Sequence, residues 1–234
     1  MSAKKGTMVI GIIALSIVSA GLVREKMNIS YAGQNNKEVI QQTTEGAEEG
    51  QAVETAVTEG KYPIMGKSEV DWEQLAGYFR SSRNKYPSDI LGKGGAPDIE
   101  TFSRIYCEEA EAEGVRPEVA FVQTMKETGW LQYGGDAQIQ QYNFAGLGTT
   151  GGGVQGNSFR DVRTGVRAQI QHLKAYATEK SLNNTCVDER YEFVDKGSAP
   201  YVEWLGQNEN PKGAGWATGR NYGYDIVKMI KQIR

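Results

Sequence analysis

One stretch limits the folds open to this chain more than any other: PEVAFVQTMKETG, residues 117–129. Pro117 suits a first helical turn, where the N–H it lacks has no intrahelical partner. Val119, Val122 and Met125 recur at three-residue spacing, which predicts an amphipathic helix packed by one face. Gly129, two residues past Glu127, is placed for a left-handed stop. Glu127 is thereby set at the C-terminal end of a half-buried helix, with Trp130 and Tyr133 just beyond it. The helix dipole is negative at that end and the neighbours are apolar, so both favour the protonated acid. Such a carboxyl is what glycosidic cleavage requires of its general acid. The plainer alternative is a glutamate that merely ends a helix in water.

The surrounding chain reads as further helices. Ser68, with Asp71 three residues on, resembles a capping box and opens a helix through Ser81. KYPSDILGKGGAP is a turn-rich connector. Thr101 caps a second helix, FSRIYCEEAEAE, which Gly114 ends. Val166, Ile170, Leu173 and Ala177 mark a strong amphipathic helix, with His172 off its apolar stripe and facing solvent. Residues 183–215 are irregular, with short helical turns. A last helix starts near Asn221 and turns Val227, Ile230 and Ile233 inward. Between Gly134 and Arg160 the many glycines predict loop and a small hairpin. The fold class is therefore mainly α (α+β): a helical domain with at most a small β element.

Three segments divide the chain. Lys4 and Lys5 precede an unbroken apolar run from Met8 to Val23, closed by Arg24-Glu25-Lys26, so residues 1–33 read as a signal peptide or an N-terminal membrane anchor. Small residues at Ser30 and Ala32 would serve cleavage, whereas the charges just past the run suit an anchor. Residues 34–61 form an acidic linker without enough apolar surface to fold. As a flexible coil of roughly 27 residues it spans about 30 Å on average. Residues 62–234 are the folded domain, expected on the outer side of the membrane, either anchored or secreted to the cell wall.

Net charge of −3 gives no footprint for nucleic acid. His172 is the single histidine, which argues against a Ser-His-Asp or Cys-His site and against a multi-imidazole zinc site. No metal or cofactor is expected, and the domain is expected to be a monomer. Cys107 and Cys186 are the two cysteines, and in an exported chain such a pair reads as a disulfide. Closing that loop of roughly 80 residues is worth about 4–5 kcal/mol; two free thiols are the alternative. Residues 146–151 match G-x-G-x-x-G literally, but no buried strand precedes them and no helix opens at them. The run is read as a hairpin tip or the wall of a cleft.

EVAFVQTMKETGW, YNFAGLG and WATGRNYGYDI together resemble the glucosaminidase family of bacterial cell-wall hydrolases, glycoside hydrolase family 73, over roughly Ile99–Ile233. The resemblance implies a lysozyme-like, mainly helical domain with a small β-hairpin lobe flanking a cleft. It also implies cleavage of the β-1,4 bond after N-acetylglucosamine, with peptidoglycan glycan strands as partner. Glu127 matches the family's catalytic acid and Tyr222 its cleft tyrosine. Asn143 and Phe144 match the turn into the β-lobe, and with Trp130, Tyr133 and Trp216 they are the candidate substrate contacts. One departure stands out: the family places a second acid in the β-lobe, whereas Ala145–Ser158 here contains no Asp or Glu. Asp161 and Asp136 are the nearest replacements, Asp161 equally suited to capping a helix. A substrate acetamido group can stand in for a protein nucleophile. The alternatives are a muramidase or lytic transglycosylase on the same fold, or a non-catalytic glycan-binding module.

Overall fold

Side-chain caps set where three of the helices begin, and two of these start at a different polar residue from the one the sequence suggests. Asp71 accepts a hydrogen bond from Gln74 N (2.8 Å) and Gln74 Oε1 accepts one from Asp71 N (3.1 Å), a reciprocal capping box that opens α1 (Trp72–Ser81). Ser68 is engaged elsewhere, its hydroxyl donating to Glu118 across 2.6 Å. Likewise Asp98, rather than Thr101, caps α3 (Ile99–Glu113), accepting from Thr101 N at 2.7 Å. Gly114 ends α3 in the left-handed conformation (φ 75°), as the sequence indicates. A short helix, α2 (Ser88–Leu91), lies in the connector between them. The computed structural model describes residues 60–149 and 152–234. The expected signal or anchor and nearly all of the linker therefore lie outside the described residues, as do the last two positions of the 146–151 glycine motif. Among the described residues, no helix is long and apolar enough to cross a membrane.

The helix that carries Glu127, α4 (Pro117–Glu127), is the hub. Nine consecutive residues, Pro117 to Met125, are buried, and α1, α3, α5 (Val162–Ala177) and α6 (Tyr222–Ile230) all pack against it. The one-sided burial expected from its three-residue spacing is thus overturned. Its polar residues enter the interior because each is satisfied there. Glu118, 1% exposed, accepts from Tyr62 Oη and Ser68 Oγ, both at 2.6 Å. The α5 stripe of Val166, Ile170, Leu173 and Ala177 is buried as expected, as are Val227 and Ile230 of α6.

Aromatic rings fill the space around α3 and α4. Phe102 lies 5.1 Å from Tyr106, 5.2 Å from Phe144 and 6.2 Å from Phe121, ring centre to ring centre. Truncating such a side chain to alanine costs about 3–5 kcal/mol. Ion pairs lock α3 to α5: buried Glu109 meets the partly exposed Arg167 Nε (2.7 Å) and Arg163 Nη1 (2.8 Å), and Glu113 meets Lys174 Nζ (2.8 Å) with both groups buried.

The expected β-hairpin lobe is not seen. Among the described residues no strand forms, only isolated bridges such as Pro63 with Tyr201. The described residues of 134–160 hold a 3₁₀ turn (Ile139–Gln141) and glycine turns, with Gly146, Gly148, Gly152, Gly153 and Gly156 all at positive φ. Glycines in that conformation turn the chain instead of extending it. The expected Cys107–Cys186 disulfide is also absent, and both thiols are free. Cys107 is half-buried beside Asp71, Glu73 and Glu118, whereas Cys186 lies exposed near Glu192 and Lys196 and donates to Asp188 O. The two have different surroundings on different parts of the domain. His172 does not face solvent freely either. Its Nδ1 lies 2.7 Å from Asp188 Oδ2, and its ring meets Trp216 edge-on at 4.8 Å.

Candidate active site

Glu127 is the last residue of α4, and Tyr222 is the first of α6. The packing of α6 on α4 brings these two sequence-distant residues together, and the Tyr222 hydroxyl donates directly to Glu127 Oε1. The start of α6 also lies tight against the Val202–Leu205 turn, where any Cβ on Gly223 would clash with the Val202 carbonyl. Asn221 precedes the helix in a left-handed turn (φ 60°), and its N–H is held by Glu209 Oε1 at 2.8 Å.

The chain beyond Glu127 turns sharply. Gly129, Trp130 and Leu131 follow one another in the left-handed region (φ 57°, 60° and 62°), and Tyr133 joins them at 56°. Gly129 is the stop the sequence indicates, but a run of non-glycine residues in this region is strained and needs support. Thr128 supplies it: its hydroxyl donates to Thr124 O (2.7 Å) and accepts from Leu131 N (2.9 Å). Trp130 is held against Tyr78, ring centres 5.0 Å apart, and Leu131 is buried.

Burial pushes the Glu127 carboxyl above the ordinary range. The Tyr222 hydrogen bond and the charge of Lys126 oppose that rise without cancelling it. Lys126 is itself paired with Asp225 at 3.0 Å. Tyr222 is pushed far above a normal phenol, first by burial and then by the negative charge it faces, so it stays a donor. Behind the pair runs a buried hydrogen-bonded chain: Gln123 Nε2 donates to Tyr222 Oη at 3.0 Å, and Gln169 Nε2 donates to Gln123 Oε1 at 2.9 Å. Sequence reading missed Gln123 and Gln169. The signal was available, since Gln123 lies one helical turn before Glu127 on the same face, and Gln169 interrupts an apolar stripe.

The other expected site residues fall into separate places. Asp161 is the N-cap of α5, accepting from Thr164 N (2.7 Å) and Thr164 Oγ1 (2.6 Å). Burial alone would raise its carboxyl, but these bonds and Arg160 carry it below the usual range. Asp136 is exposed in a bend. Asn143 and Phe144, expected to touch substrate, are each 1% exposed and present almost no surface for it. Asn143 clasps the glycine loop, donating to Leu147 O (2.9 Å) and Asn157 O (3.0 Å), and Phe144 packs into the aromatic core. Tyr133 is half-buried with its hydroxyl on Asn143 O (3.2 Å). Trp216 is half-buried between His172 and Tyr176. Among the described residues no group of His, Cys, Asp and Glu could hold a metal ion.

This arrangement offers a partly buried acid, one oxygen bonded to a fixed hydroxyl and the other without a protein partner among the described residues. A carboxyl so held can give a proton to a leaving oxygen. The glucosaminidase family model, described as mannosyl-glycoprotein endo-β-N-acetylglucosaminidase, matches residues 103–234, which include both Glu127 and Tyr222. An uncharacterised protein of Borreliella burgdorferi (strain ATCC 35210 / DSM 4680 / CIP 102532 / B31) is 32% identical over 149 residues, 64% of this chain and 70% of that protein.

Proposed function

This chain belongs to the glucosaminidase family of glycoside hydrolases, and on that premise we propose that it cleaves peptidoglycan at the β-1,4 bond following N-acetylglucosamine. The observation that carries the reading is the hydrogen bond from Tyr222 to Glu127 at the end of the buried helix. In it, protonated Glu127 gives its proton to the glycosidic oxygen as the bond from that oxygen to the anomeric carbon breaks. The substrate's own 2-acetamido oxygen attacks that carbon and forms an oxazolinium. Water then opens the ring, with the Glu127 carboxylate taking the proton, and anomeric configuration is retained. Two facts favour this route: residues 145–158 contain no acid, and Asp161 is committed to the start of α5. The apolar run Met8–Val23 and the linker, in this proposal, carry the domain to the wall side of the membrane and give it reach.

The test is digestion of purified peptidoglycan, with new ends identified by mass spectrometry. Reducing N-acetylglucosamine ends and inhibition by a thiazoline mimic of the oxazolinium are expected. Reducing N-acetylmuramic ends, anhydro ends, or no cleavage would overturn the proposal. Glu127→Gln is expected to lose about 10²–10⁴ in rate while remaining folded.

A further inference from the structure

Donor and acceptor bookkeeping in the core leads from a backbone carbonyl to the acid. The carbonyl of Ala120 can only accept a hydrogen bond. It lies 2.9 Å from Gln169 Nε2, so the amide nitrogen of Gln169, and not its oxygen, must face it. The second hydrogen on that nitrogen goes to Gln123 Oε1 at 2.9 Å. Gln123 is thereby oriented in turn, with Nε2 toward Tyr222 Oη at 3.0 Å. Tyr222 has one proton; its oxygen already accepts from Gln123, so that proton is directed to Glu127 Oε1. At the far end Gln169 Oε1 lies 2.9 Å from Thr124 Oγ1 and 3.0 Å from Tyr106 Oη, and because these two hydroxyls also bond each other at 2.6 Å, one of them donates to Gln169 and the other to its neighbour. Tyr106, Gln123, Thr124 and Gln169 are all 0% exposed and Tyr222 is 7% exposed, so solvent has little access to relax this order.

We infer that Gln169 and Gln123 are positioning residues: acting through Tyr222, they place the acidic proton of Glu127 on Oε2, the oxygen open to substrate. The carbonyl oxygen of a protonated carboxyl is its better acceptor, so accepting the Tyr222 proton at Oε1 favours the acid with its own proton on the other oxygen. The proton then resides on Oε2, which has no protein partner among the described residues and is not sealed from solvent. Were the chain reversed, with Tyr222 donating toward residue 123, Glu127 would give its proton to Tyr222 Oη and hold it away from the glycosidic oxygen. The inference rests on Glu127 being the general acid. The other titratable or charged groups facing this pair are Lys126 on α4, Asp225 on α6 and Tyr176 on α5.

Gln123→Glu tests it in the full chain, with kcat and KM measured on soluble peptidoglycan fragments across pH. When ionised, the introduced carboxylate still accepts from Gln169 but also claims the Tyr222 proton, which reverses the chain. When protonated, it donates to Tyr222 as the amide does. The expected result is a kcat about 10- to 100-fold below wild type in the pH range where the introduced carboxyl is ionised. KM changes little, and the ratio to wild type recovers as pH falls. Gln123→Met, which lets the Tyr222 hydroxyl turn either way, is expected to lose less and to show no such recovery. A Gln123→Glu ratio that is flat with pH, or activity equal to wild type, overturns the inference while Glu127→Gln remains inactive. Activity in Glu127→Gln would instead remove the acid assignment itself. If Gln123→Glu does not fold, carboxyl ¹³C NMR of Glu127 decides. Its titration midpoint is expected to rise in Gln123→Met, because protonated Glu127 can then donate to Tyr222, and an unmoved midpoint overturns the chain's role.

Discussion

Removing the hydroxyl of Tyr222 should change both stability and the pH dependence of the reaction. Tyr222→Phe preserves the ring, which is 7% exposed at the start of α6. It leaves Gln123 Nε2 buried without its acceptor and Glu127 Oε1 without its donor. An orphaned buried donor costs about 1–3 kcal/mol, and a lost bond to a charged group about 1.5–3 kcal/mol; because the two effects share one hydroxyl, a net loss of about 2–3 kcal/mol is expected. For a domain of this size that lowers Tm by roughly 5–10 °C. The sign with pH follows from Glu127. Burial raises its folded pKa and the Tyr222 bond holds it back, so losing the bond raises it further. The alkaline limb of kcat/KM should therefore move to higher pH, because the acid stays protonated longer. The stability loss should be larger at a pH where Glu127 is ionised than at one where it is protonated, because the lost bond favours the carboxylate. Calorimetry at the two pH values and a pH–rate profile measure both. An unchanged Tm, or an alkaline limb that moves to lower pH, would refute the reasoning.

Three further outcomes are expected. Asp161→Ala should lose about 1 kcal/mol by denaturant melting, as for other N-caps, yet keep its turnover per folded molecule. Asp161→Asn with normal melting and no turnover would show that Asp161 acts in the reaction. Lys174→Met leaves Glu113 buried with only the N–H groups of Asn183 and Asn184 and should cost about 3–5 kcal/mol. Burial alone would raise the Glu113 carboxyl, but its donors carry it below the ordinary range. That contribution is thus present above about pH 4 and lost as pH falls through the depressed value, and the variant should flatten this acid slope. Gly165→Ala, whose Cβ would overlap the Tyr142 carbonyl oxygen, should cost about 3 kcal/mol in a chemical melt.

Where the cause of a feature is local, the sequence alone was enough. Pro117 opens α4, Gly114 and Gly129 take up left-handed φ, and the α5 stripe is buried because these depend on a residue's own backbone preferences or on one helical period. The resemblance of its motifs singled out both Glu127 and Tyr222, which the packing of α6 on α4 brings into contact. Helix starts were less legible: Ser68 and Thr101 are sound caps by residue type, and only the backbone path showed that Asp71 and Asp98 hold those positions. The tertiary structure alone decided that α4 is buried on every side. Its apolar spacing describes one face, while the opposite faces are apolar in effect only because Glu118, Gln123 and Thr124 find partners on other elements. Asn143 and Phe144 likewise turned from surface contacts into loop clasp and core. The direction of the chain from Gln169 to Glu127 belongs to the same class, because a hydrogen bond's polarity is set by its partner, and those partners lie up to 99 residues apart.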